Sequence, residues 1–274
     1  MKLRHEEFKC FRDGLRINGS LFCPKGEGPF PIAIISHEFM MNRLTTLHYA
    51  KWMAKRGYAA FCYDFNGGGS ISQSQGKTTK MSVKTEVADL KAVIQFAREQ
   101  EYTSDARLTL WGCSQGGMVS SLVAAELGTD EVEKLILFYP ALSIPDDARK
   151  GQMILAKFDP KNVPKILFCG PIILGSQYVT DALELDPYEQ INKYRGPVFL
   201  VHGDADHIVD HKYSVRAYEE YQKADQAALD VGELHAMPEL QFVTIHGAGH
   251  MFMNPRDKHK AMKSVNAFLN NLKK

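Results

Sequence analysis

Gly112-Cys113-Ser114-Gln115-Gly116 stands between a β-type run, Arg107-Leu-Thr-Leu-Trp111, and a helical one, Gly117 to Leu127. Gly-x-Ser-x-Gly at a strand-to-helix switch predicts a nucleophile elbow, a turn so sharp that the serine sits strained at its tip. The two flanking glycines lack a Cβ and so leave room for a close strand–helix approach. The pentapeptide alone is a short pattern, and its weight comes from the elements around it.

Upstream, Phe8 to Cys23 reads as two strands around the turn signals Asp13-Gly14 and Asn18-Gly19. Pro31 to Ser36 is a short apolar run suited to a strand buried on both faces. Thr45 to Arg56 predicts a helix ended by Gly57, and Tyr58 to Tyr63 the next strand. Positions 83, 87, 90, 94 and 97 share one helical face, which predicts an amphipathic helix over 83–100. Downstream, Lys134 to Tyr139, Pro197 to Val201 and Gln241 to Ile245 read as strands, and Met262, Val265, Phe268, Leu269 and Leu272 form the buried stripe of a last helix. Strands alternating with helices imply an α/β fold, a mostly parallel eight-stranded sheet with helices on both faces. Residues 1–274 are read as one domain.

The segment 141–195 breaks the rhythm with prolines at 145, 160, 164, 171 and 187. A structureless loop of that length is improbable in a compact domain, and about 55 residues make a poor independent core. It is expected to be an inserted cap of short helices or a hairpin over the strand ends. Apolar residues (45%) and charged residues (24%) are those of an ordinary globular protein. A formal charge of +1 argues against nucleic acid or an anionic membrane as partner, and a homodimer stays open. The five cysteines include no Cys-x-x-Cys pair, no apolar window is long enough to span a membrane, and the charged N-terminus does not read as a signal peptide. Reduced thiols in a cytoplasmic enzyme are the expectation.

A serine hydroxyl needs a base, and the base an orienting acid; in elbow-type folds these follow in the order Ser, Asp or Glu, His. Strand 197–201 runs into His202-Gly203-Asp204-Ala205-Asp206, and the last strand into His246-Gly247-Ala248-Gly249-His250. Both lie past the carboxyl ends of parallel strands, where open α/β sheets carry their sites. A His-Gly-x-x-Asp-x-x-Val pattern selects Asp206 over Asp204. The Gly247-Ala-Gly249 loop favours His250 as base, leaving His246 structural. The oxyanion donors are expected to be the backbone N–H groups of Gln115 and Phe39. Glu38 would repel a developing oxyanion and is predicted to point away. Cys113 reads as packing behind the elbow. Gly67-Gly-Gly69 lacks the Lys-Ser/Thr of a phosphate loop, and the His207/His211 and His246/His250 spacings lack a His-Glu-x-x-His, so neither cofactor nor metal is expected.

Together these residues resemble the α/β-hydrolase superfamily over essentially the whole length. Asp64-Phe-Asn-Gly67 with Ser70, Gly112-x-Ser-Gln-Gly-Gly117, Tyr178-Val-x-Asp-Ala182 with Leu185-Asp-x-Tyr-Glu189, and Gly249-His250 are closer to the bacterial cinnamoyl (feruloyl) esterases and related carboxylesterases. Glu38 and Cys113 depart from that pattern, where glycine and histidine are common. In dienelactone-hydrolase-like proteins a cysteine replaces the serine itself, a place held here by Ser114. The resemblance implies an insertion that caps the pocket and helps to choose the acyl group. It also implies a cofactor-free serine hydrolase acting on small-molecule carboxylic esters. A peptidase or thioesterase with the same triad, or a hydrolase-like binding protein spoiled at Glu38, are the alternatives.

Overall fold

The computed structural model describes residues 2–69 and 71–272, with backbone alone at 104–106. Ser70 of the Asp64–Gly67 motif therefore lies outside the described residues. Two long strands, β1 (Leu3–Arg12) and β2 (Leu15–Pro24), pair antiparallel about Asp13-Gly14, whose φ angles are 50° and 77°. Asn18-Gly19 is not a second turn but part of β2. A Cβ at Gly19 would fall 2.2 Å from the Phe8 ring and 2.8 Å from the Cys62 carbonyl, so this glycine serves close packing within the sheet.

The chain continues through β3 (Phe30–Ser36), α1 (Leu47–Ala54), β4 (Ala59–Tyr63), α2 (Val83–Arg98), β5 (Thr103–Cys113), α3 (Gln115–Leu127) and β6 (Val132–Phe138). The segment 141–195 folds as both short helices and hairpins. These are α4 (Ile144–Arg149), the pairs β7 (Gln152–Met153) with β8 (Ala156–Lys157) and β9 (Ile166–Cys169) with β10 (Ile172–Gly175), then α5 (Ser176–Leu183) and α6 (Pro187–Ile191). The sheet resumes with β11 (Val198–Gly203), α7 (Lys212–Asp230), β12 (Leu240–Ile245) and α8 (Pro255–Asn271).

One eight-stranded sheet has the order β1-β2-β4-β3-β5-β6-β11-β12, and only β2 runs against the other strands. From β3 the chain crosses outward to β4, then returns to the other side of β3 as β5. The neighbours β3 and β5 thus define a switch point, with Ser36 level with Gly112. Alternation along the strands feeds two cores. Ile32, Ile34, Leu108, Leu110 and Leu135 turn to the face covered by α2 and α3, while Ala33, Ile35, Trp111, Ile136 and Phe138 turn to that of α1 and α8. Runs apolar at every position are therefore what this sheet needs.

Candidate active site

Strand β5 ends at Cys113, and Ser114 turns the chain into α3 with φ 53° and ψ −119°, on the left-handed side that side chains avoid. The turn is held from outside: Ser114 N–H donates to Phe138 O at 2.9 Å, and Ser114 O accepts from Ala141 N–H at 2.9 Å. The glycines act through contact rather than φ. A Cβ at Gly112 would sit 2.1 Å from Gly116 O, and one at Gly116 would sit 2.5 Å from His37 O and 2.6 Å from Ser36 O. Gly116→Ala is expected to push the His37–Phe39 loop away from the elbow. It should destabilise the fold by about 1–3 kcal/mol, as overpacking does, and lower turnover beyond that loss; chemical denaturation and ester kinetics read the two effects.

Past the end of β12, His250 lies with its side chain 8% exposed. Its Nε2 is 2.9 Å from Ser114 Oγ and its Nδ1 is 2.6 Å from Asp206 Oδ2. A carboxylate only accepts, so Nδ1 carries the ring proton and Nε2 is free to take the serine's. Asp206, in the turn after β11, is wholly buried at its side chain. Burial alone would raise its pKa. Hydrogen bonds from His202, His250 and the Val209 N–H outweigh that, and the carboxyl stays below the ordinary carboxylate range. Its Oδ1 accepts from the N–H groups of Ile208 (2.9 Å) and Val209 (3.0 Å). Ser114, His250 and Asp206, from three strand ends, thus form one continuous hydrogen-bonded chain.

The competing pair lies apart. Asp204 accepts from His246 Nδ1 at 2.8 Å and from Gly247 N–H at 2.6 Å, at the surface. Cys113 is fully buried, and burial pushes its thiol well up, which keeps it protonated. The Glu38 carboxylate accepts from Tyr139 OH (3.1 Å) and Thr45 Oγ1 (2.7 Å).

A cavity of about 390 Å3 opens at Ser114, lined by Phe39, Gln115, Met153, Tyr178 and Val209 among others. Among the described residues no protein acceptor takes the backbone N–H of Phe39 or Gln115, and at Gln115 this is the orphan donor of a helix start. The Gln115 side chain is locked separately. Its Nε2 donates to Glu86 Oε2 at 2.7 Å, and its Oε1 accepts from Tyr178 OH. Tyr178 on α5 thereby ties the 141–195 segment to the elbow. Burial holds the Glu86 carboxyl well above its usual range.

Two features of the site had not been expected from the sequence. His202 Nε2 lies 3.0 Å from Asp206 Oδ2, so the acid is shared by two imidazoles. The signal was present as the first residue of His-Gly-x-x-Asp. The Gln115–Tyr178 bond spans 63 residues and has no local signature. Among the described residues no cluster of three or more His, Cys, Asp or Glu could hold a metal, and no helix is long and apolar enough to cross a membrane.

An elbow serine at the switch point of such a sheet defines an α/β-hydrolase, and one that resembles feruloyl esterases. The family model described as serine aminopeptidase, S33, matches residues 29–190, more than half of the chain, and the chain belongs to that family. Est1E from Butyrivibrio proteoclasticus, solved with ferulic acid bound, superposes with a TM-score of 0.83 at 26% identity, covering 97% of this chain and 100% of its own. Protein YfhR of Escherichia coli O157:H7 is 24% identical over 215 residues, 76% of this chain and 64% of YfhR. Carboxymethylenebutenolidase of Pseudomonas putida is 28% identical over 120 residues, 39% of this chain and 50% of that enzyme. The chain spans less than two thirds of the length of the curated relatives it matches.

Proposed function

We propose that the chain is a serine carboxylic-ester hydrolase that works through an acyl-enzyme, with hydroxycinnamoyl (feruloyl) esters as its substrate class. The observation that carries the reading is the unbroken hydrogen-bonded chain from Ser114 through His250 to Asp206 at a cavity wall. Ser114 Oγ attacks the ester carbonyl carbon while His250 Nε2 takes its proton. The backbone N–H groups of Gln115 and Phe39 hold the oxyanion. As the tetrahedral adduct collapses, His250 returns the proton to the leaving alcohol. Water then attacks the acyl-enzyme by the same route and releases the acid.

Segment 141–195 is the cap of this single domain and chooses the acyl group. Its Ile144, Met153 and Leu155 line the cavity together with the polar Ser143, Asp147 and Gln152, a mixture suited to a flat ring bearing oxygen substituents. The ferulic acid bound by Est1E supports the same substrate class. All five cysteines are buried and free, as fits a cytoplasmic setting.

A nitrophenyl ferulate should give a burst of nitrophenol stoichiometric with enzyme, the sign of an accumulating acyl-enzyme. In a panel of aryl, cinnamoyl and short-chain acyl esters, hydroxycinnamates should lead in kcat/KM by about tenfold or more, the scale set by pocket contacts. Preference for straight short chains would refute the substrate class and leave the mechanism standing. Faster turnover of the matched amide or thioester would instead make the chain a peptidase or thioesterase.

A further inference from the structure

We propose that His202 is a positioning residue for Asp206, holding that carboxylate at the orientation and basicity His250 requires. This rests on the esterase reading, in which Asp206 orients the base. His202 lies in β11 and is fully buried. Its Nε2 is 3.0 Å from Asp206 Oδ2 and 3.0 Å from Val209 O. A backbone carbonyl only accepts, so Nε2 bears the proton and donates to both. Nδ1 lies 2.7 Å from Ser214 Oγ, on α7. The ring is therefore pinned at both nitrogens, and Ser214 completes the arrangement.

Asp206 Oδ2 is the contested atom, with His250 at 2.6 Å and His202 at 3.0 Å. A carboxylate oxygen that accepts a second buried N–H offers less negative charge to the first. His202 thus tempers the pull of Asp206 on His250 as well as fixing its direction. A histidine needed only to tie β11 to α7 would require Ser214 and Val209, but not the carboxylate. Other titratable groups near this pair are His250, from beyond β12, His211, before α7, and Asp147, Lys150, Asp210 and Lys212, which line one cavity with Asp206. The His211 ring centroid is 5.7 Å from that of His202, and its Nε2 lies 2.9 Å from Thr244 Oγ1.

Three variants of the full chain test this: His202→Leu, His202→Gln, whose amide N–H takes the place of Nε2–H, and Ser214→Ala. The measurements are nitrophenyl-ester kinetics across pH, the rate of fluorophosphonate labelling, and the thermal midpoint. His202→Leu should lose about 10–100-fold in kcat with little change in KM, the usual cost of removing such a supporting partner. The acidic limb of its kcat/KM profile should move to higher pH, because His250 then faces an untempered carboxylate. His202→Gln should restore most of the rate and return the limb. Where His202→Leu does not fold, a fall in kcat for Ser214→Ala supports the proposal and an unchanged kcat overturns it. Wild-type rate and limb in folded His202→Leu, with Ser114 still labelled, overturns the proposal alone. Failure of the wild type to label overturns the esterase reading and the proposal with it.

Discussion

Ser114→Ala is expected to lower kcat on a nitrophenyl ester by about a million-fold, the scale seen when a triad serine is removed. Cys113 cannot stand in for the hydroxyl, since burial keeps its thiol protonated. The proposed oxyanion donors and the cavity remain, so some catalysis over water should persist. Stability should hardly change. Alanine can occupy the same strained φ of 53° as serine, and among the described residues the side-chain bond lost is the one to His250 Nε2 at 2.9 Å. Kinetics with a thermal melt on the same preparation measures both. A variant that keeps wild-type turnover would place the chemistry elsewhere.

Asp206→Asn should cost about 10⁴-fold in kcat at neutral pH, as loss of the orienting charge does in serine proteases. The geometry supplies the reason in detail. Two backbone N–H groups, of Ile208 and Val209, need the Oδ1 acceptor, and the amide oxygen has to serve them. That turns the amide nitrogen, a donor, toward His250 Nδ1 and His202 Nε2. His250 can answer only by moving its proton to Nε2, where it can no longer accept the serine's. The same substitution should alter acid stability. The Asp206 pKa in the folded chain lies below its unfolded value, so its stabilisation is complete above about pH 4 and is lost as pH falls toward the folded value. The Asn variant should lack that part of the acid-side slope, read as thermal midpoint against pH. An unchanged slope would mean that other carboxylates set the acid limit.

Strands β3, β4, β6 and β11 were legible because they are short and apolar on both faces, a pattern that period-2 alternation would have missed. Helix α7 was not. Its buried stripe is Tyr213, Ser214, Ala217, Tyr221, Asp225 and Ala228, small, aromatic and polar side chains in place of large aliphatic ones. Asn18-Gly19 failed as a turn signal for a different reason. The dipeptide permits left-handed backbone but does not compel it, and packing of Phe8 over Gly19 settled its use. Within the site, Gly112, Gly116 and Ser114 were readable because an elbow imposes its steric demands within five residues. The bond from Tyr139 to Glu38 was not, since the two residues lie 101 apart.

By itself the sequence determined the α/β class, the elbow and the chain order of serine, acid and histidine, all set by short-range sterics and strand periodicity. The motif spacing also singled out Asp206 and His250; the tertiary structure added the pairing of the remaining two, Asp204 with His246 at the surface. It alone showed His202 as a second donor to that acid, Glu38 bound by Tyr139 and Thr45, and Gln115 fastened to Tyr178. The reason is common to all of them. Each is a hydrogen bond between side chains whose direction depends on how separate strand ends and loops converge, which spacing along the chain does not encode.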